Sequence, residues 1–297
     1  MRRPAPHVLA EIASQPDCWA RALASMPEAA KVLPGAGERV AITGCGTSWH
    51  VAAAIAAARE AAGQGETDAF PASELPRRPY DAVVAVSRSG TTTEVLDALR
   101  RTPSSVRKIG ITAAPATPIR DAADHLLVLD YADEESFVQT RFATTVLTIG
   151  RAHVGHDLPP VVAQARQAAA AGLDERLVDR SHYVFLGRGW AVGVAHEAAL
   201  KVQETSATWS EAYPALEYRH GPLSAATPSS VVWLLGVDDE ALVSDIKRTG
   251  ATVVVGARDP QAELVLVQRV AVATAQARGL DPDRPRHLAR SVVHASQ

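Results

Sequence analysis

Short apolar, β-branched runs alternate with helical stretches along almost the whole chain, and this alternation limits the fold more than any other feature. Arg39–Thr43, Asp81–Val86, Arg107–Thr112 and His125–Leu129 read as strands, with Ser48–Ala62, Thr92–Arg101 and Phe137–Ala152 as helices. Strands of this kind, separated by helices, pair in parallel under helices on both faces. A helix over residues 5–27 precedes them, with Val8, Leu9, Ile12, Trp19 and Leu23 on a broken apolar face. A second round follows a helical connector at 161–180. Its strands are His182–Leu186, Ser230–Leu235 and Ala251–Gly256, and its helices Ala191–Ser206 and Glu240–Arg248; Leu264–Val272 reads as strand turning helical. The pattern of ITGCGTSWH, strand then glycine turn then helix, returns in FLGRGWAVG. That predicts a duplicated α/β unit with a boundary near residue 172.

Composition narrows the class. The 297 residues, 47% hydrophobic and 21% charged, suit an ordinary globular protein of two domains. A net charge of −3 argues against a nucleic-acid partner. No apolar run approaches the roughly 20 residues that cross a bilayer, and no apolar core follows the two N-terminal arginines. Cys18 and Cys45 are too few for a disulfide framework or a cysteine zinc site. The expectation is a cytoplasmic protein with no membrane partner, no metal and no other cofactor. Of the 30 basic residues only Lys31, Lys108, Lys201 and Lys247 are lysines, and asparagine is absent. GC-rich coding accounts for this, but it leaves few candidates for amine chemistry, because arginine forms no Schiff base.

Two turns could hold an anion. Gly44-Cys45-Gly46-Thr47-Ser48 follows a strand and opens a helix, where glycines and free N–H groups suit a phosphate or simply join two elements. It is neither a P-loop nor a dinucleotide fingerprint. Ser87-Arg88-Ser89-Gly90-Thr91-Thr92-Thr93-Glu94 is sharper: five hydroxyls at a strand-to-helix junction exceed what a cap requires. Ligands of open α/β sheets lie beyond strand C-termini, so the two turns converge. The matching position in the second half, Gly236-Val237-Asp238-Asp239-Glu240, is acidic and would repel phosphate. What the second half offers is Glu197, Lys201 and Glu204, at i, i+4 and i+7 on one helix face. Such a face is usually a solvated salt-bridge ladder; small residues opposite, Ala198, Ala199 and Ser206, point instead to close packing. His220-Gly221-Pro222 follows in a loop, where a histidine close after a carboxylate-bearing helix is a candidate acid–base partner.

Together GCGTS, SRSGTT, the EAALKxxE helix and the ExxHGP loop resemble the double SIS (sugar isomerase) domain phosphosugar proteins. That family includes the isomerase half of glucosamine-6-phosphate synthase and the glucosamine-6-phosphate deaminases. EIASQPD and DPDRPRHLARSV extend the resemblance over nearly the whole chain. It implies two tandem SIS domains, 1–171 and 172–297, each an α/β/α sandwich on a five-stranded parallel sheet, in a homodimer. It implies that Ser48, Ser87, Ser89 and Thr92 hold a sugar phosphate and that Thr47 and Arg88 line the same pocket. Glu204 would be the base moving a proton between the first two sugar carbons. His220 would assist ring opening from the partner subunit.

Two departures matter. No N-terminal catalytic cysteine precedes the resemblance, so ammonia from glutamine is not expected. The family's tail lysine falls on Arg290, leaving Lys201 as the lysine near the expected site. SRSGTTTE and SFVQTR are similar to the members lacking a glutaminase domain. The reaction this implies is isomerisation of an aminosugar phosphate with release of ammonia. The alternatives are a sugar-phosphate sensor without turnover and an aldose–ketose isomerase acting on a non-amino sugar.

Overall fold

The computed structural model describes residues 5–293. They form two compact units, one on a five-stranded and one on a four-stranded parallel sheet. The five-stranded unit comprises Asp17–Glu134, Arg141–Leu158 and the tail from Ala289; the other comprises residues up to Pro16, Glu135–Thr140 and Pro159–Leu288. The chain passes into the four-stranded unit at Pro159, ahead of residue 172, because the helix over 159–170 packs on the helix over 260–277. Among the described residues, no helix is long and apolar enough to cross a membrane.

Helices α1 (Pro6–Ala24) and α2 (Met26–Ala29) come first. The five-stranded unit then runs β1 (Val40–Gly44), α3 (Thr47–Ala61), β2 (Thr67–Pro71), β3 (Ala82–Val86), α4 (Thr93–Arg101), β4 (Arg107–Thr112), α5 (Ile119–Ala122), β5 (His125–Val128) and α6 (Arg141–His153). The sheet order is β2-β1-β3-β4-β5, all parallel. Every residue of β1 and β3 is buried, as central strands covered on both faces must be. Val83 and Ala85 pack with Val95, Leu99 and Ile119 on one face. On the opposite face Val40, Ile42 and Val86 meet Ile55 of α3 and Val146 and Ile149 of α6.

The β1–α3 turn explains two of its glycines. A Cβ on Gly44 would lie 2.6 Å from the Ser48 Cβ and 3.0 Å from the Val86 carbonyl, so only glycine lets α3 and β3 approach. Gly46 has φ 54, the left-handed region that side chains disfavour. Gly44→Ala is expected to lower stability by about 1–3 kcal/mol through overpacking. An unchanged urea midpoint would show instead that α3 shifts at no cost.

The other unit runs α7 (Pro159–Ala170), β6 (His182–Gly187), α8 (Ala191–Ser206), β7 (Trp209–Pro214), β8 (Ser230–Leu235), α9 (Glu240–Arg248), β9 (Thr252–Val255) and α10 (Pro260–Ala277). Its order is β7-β6-β8-β9, so the described residues form a four-stranded sheet where five strands were expected. The order repeats that of the first four strands of the larger sheet. The β6–α8 turn also repeats the glycine geometry, with Gly189 at φ 56. The absent strand has a physical cause. After β9, the Asp259 carboxylate caps the Gln261 N–H at 2.9 Å and Pro260 occupies the first turn, so α10 begins at once. Leu264–Val272 is then helix throughout. Its valines are buried against α8 and α7, and a mostly apolar, valine-rich run reads alike as buried helix or buried strand.

Candidate active site

In the five-stranded unit β1 and β3 are neighbours, so the turns that follow them stand side by side at the sheet's C-terminal edge. Thr47 and Ser48 begin α3, both buried. Ser87, also buried, leaves β3, and its Oγ accepts the Gly90 N–H at 3.1 Å and lies 3.2 Å from the Thr92 Oγ1. Thr92 occupies the N-cap position of α4 without making a side-chain cap bond. Capping therefore does not explain its hydroxyl. Partial burial pushes the Cys45 thiol up from its ordinary value, and the nearby Glu94 pushes it further, so this turn presents a neutral thiol.

The chain's tail lies along this loop. The Ser291 Oγ is 3.0 Å from the Ser89 Oγ and 2.8 Å from the Thr91 Oγ1, and the Thr93 N–H donates to the Val292 carbonyl at 3.3 Å. Arg88 is buried rather than displayed. Its Nη2 donates to the Arg290 carbonyl at 2.7 Å, and Nη1 is 3.9 Å from the equally buried Glu134 carboxylate. A buried arginine of this kind braces the loop and tail more than it lines a cavity. The Arg290 side chain pairs with Asp133 at 2.8 Å.

In the other unit the three-residue face of α8 is not a solvated ladder. Glu197 and Lys201 are 1% exposed. The Lys201 Nζ donates to the Glu204 Oε2 at 2.5 Å and lies 3.4 Å from the Glu197 Oε1. Glu204 is the outermost of the three, with its side chain 20% exposed. It lines a groove of ≈ 840 Å³ whose far wall is the segment after α10, including Asp281, Arg284, Arg286 and His287. His287 is a non-glycine residue with φ 65.

The structure therefore brings Lys201 and Glu204 together, and sets Thr47 and Ser48 beside the Ser87–Thr92 loop. It does not bring His220 to the groove within this chain. That histidine ends the 3-10 turn Ala215–His220 and is exposed outside the groove lining. The acidic loop after β8 has a structural use: the Asp239 carboxylate caps the Leu242 N–H at 2.7 Å and faces Arg219 at 3.5 Å. Sequence reasoning missed Glu134, Ser291 and the groove wall over 281–288. The DPDRPRHLARSV similarity marked the tail, but no local pattern says what a tail folds against.

Residues 35–150 match the family model described as the SIS domain. The chain is also similar to the glutamine–fructose-6-phosphate aminotransferase (isomerizing) of Aeropyrum pernix, at 30% identity over 97% of this chain and 57% of that protein. It spans about half the length of the curated relatives it matches. Among solved structures, the glucosamine-6-phosphate deaminase of Thermotoga maritima superposes with a TM-score of 0.83 at 28% identity, covering 97% of this chain and 99% of that one. The C-terminal domain of the Francisella tularensis glucosamine-fructose-6-phosphate aminotransferase shares the fold, with a TM-score of 0.81 at 21% identity over 94% and 98% of the two chains.

Proposed function

We propose that the protein is a cytoplasmic phosphosugar isomerase that deaminates an aminosugar phosphate such as glucosamine-6-phosphate. The observation that carries this reading is the Lys201–Glu204 pair, an ammonium clamped at 2.5 Å onto a carboxylate that lines a groove. The similarity to a deaminase over 99% of that protein's length supports it. Glu204 takes the proton from the second carbon of the open-chain sugar and returns it to the first, through an enolamine. The resulting ketimine is hydrolysed by water to ketose and ammonia. Ser48, Ser87, Ser89 and Thr92, with the N–H groups opening α3 and α4, hold the phosphate, and Thr47 lines the same site. Binding energy from that non-reacting group aligns the carbons for transfer. His220 opens the sugar ring from a second subunit of a homodimer. The repeated strand order and glycine turn support a second SIS-like domain in the four-stranded unit.

Arg290 at the family's lysine position supports a reaction without a Schiff base there, since a guanidinium keeps its proton. It equally supports a sensor that binds the sugar phosphate without turnover. Ammonia release across a panel of phosphorylated aminosugars and fructosamines tests the deaminase, and silence on every member would leave the sensor and the non-amino sugar isomerase. In either case the loop has a definite expected effect. A hydrogen bond to a charged group contributes about 1.5–3 kcal/mol, so Ser87→Ala with Ser89→Ala should weaken glucosamine-6-phosphate binding by about 100-fold or more. Glucosamine itself should bind unchanged. Calorimetry showing equal affinity for the two sugars would take the phosphate away from this loop.

A further inference from the structure

The five-stranded unit has a second concave site at the opposite end of its sheet from the hydroxyl loop. It lies beside Val83, near the start of β3, and Val106, just ahead of β4, so a five-residue strand of about 16 Å separates the two ends. The volume is ≈ 250 Å³. That is just under the roughly 300–1,000 Å³ of ordinary small-molecule pockets and fits a fragment-sized ligand. Its floor is rigid core: Tyr80, Val83, Ala98 and Val106 are all buried, with Leu75 packed against them.

The rim carries Arg77, Arg78 and Arg101. Arg78 is held by Asp68 at 3.1 Å, and the same carboxylate accepts the Tyr80 hydroxyl at 2.6 Å. Of the neighbouring acids, Asp97 pairs with Arg100 at 3.1 Å and Asp81 accepts the Arg39 N–H at 2.7 Å, while the exposed Glu74 is paired with none of the rim arginines. Among the described residues, neither Arg77 nor Arg101 has a carboxylate partner. The C-terminus of α4 favours a cation in its last turn, and Arg100 alone would satisfy that preference. Two uncompensated guanidinium groups over an apolar floor match one chemistry: an anion with an apolar body.

We propose that this groove binds a small organic anion, a carboxylate or phosphate monoester on a body the size of one ring. Its anion pairs with Arg77 and Arg101, and its ring rests on Tyr80 and Val83. The proposal is independent of what the hydroxyl loop binds. Calorimetric titration of the full chain with benzoate and with phenyl phosphate tests it and shows which anionic group the arginines prefer. At least one of the two is expected to bind, and at least 10-fold more tightly than benzyl alcohol or inorganic phosphate. Arg77→Ala with Arg101→Ala, both exposed, should weaken it at least 10-fold, with Arg77→Lys and Arg101→Lys intermediate, whereas Ser89→Ala should leave it within about 2-fold. Three results would overturn the site: no binding of either anion, binding that survives loss of both arginines, or binding lost in Ser89→Ala but kept in the arginine variant.

Discussion

Glu204→Gln is expected to slow proton exchange at the second carbon of the sugar phosphate by about 10²–10⁴-fold, the range a positioned general base supplies. The amide keeps the shape of the side chain and still accepts from the Lys201 ammonium, but it cannot take a proton. Affinity for the phosphate ester should stay within about 2-fold, because the hydroxyl loop belongs to a different part of the chain. Glu197 remains as a counter-charge for the buried Lys201 at 3.4 Å, so the same change should cost less stability than loss of the lysine itself. Exchange followed by NMR in deuterium oxide reads the effect directly. A wild-type rate in the variant would remove Glu204 from the reaction whatever the substrate proves to be.

Lys201→Met is expected to cost about 3–5 kcal/mol of folding stability, the usual range for removing one partner of a buried ion pair. The ammonium is 1% exposed and lies within 3.4 Å of one carboxylate and 2.5 Å of another, and methionine fills the space without the charge. Glu197 then stays in the interior without that counter-charge. Adding Glu197→Gln should recover a substantial part of the loss, since a neutral amide needs no counter-ion. Urea denaturation of the single and double variants measures both terms. A single variant as stable as the wild type would mean that water reaches Lys201 and that the face is solvated after all.

The fold was largely legible because its signal is local. Runs such as AVVAV and VAITG ahead of glycine-containing turns need no distant partner to be recognised, and α3 and α4 begin and end within one residue of their expected bounds. The two strands that escaped notice are β2 and β7, TDAFP and WSEAYP. Both lie at sheet edges and are only half-buried, and both carry acids and proline that a central strand would exclude. The free edges of β1 and β6 organise them, and that is not written in their own residues. Phe137–Thr140, expected as the first turn of a helix, stays outside α6, which starts at Arg141 where the Glu134 carboxylate receives the Arg141 N–H at 2.8 Å.

The candidate site divides along the same line. Sequence alone determined that Glu197, Lys201 and Glu204 share a helix face, because helical periodicity sets that spacing whatever the surroundings. It also determined that the hydroxyl-rich turns end adjacent parallel strands, because helices between apolar runs force that topology. Only the tertiary structure decided that the Glu197–Lys201 pair is dry, that Arg88 turns inward to Glu134, and that Ser291 lies on a loop some 200 residues earlier in the chain. It decided too that His220 stands outside the groove holding Glu204. Each of these depends on contacts between segments far apart in sequence, whose burial and pairing no local spacing can specify.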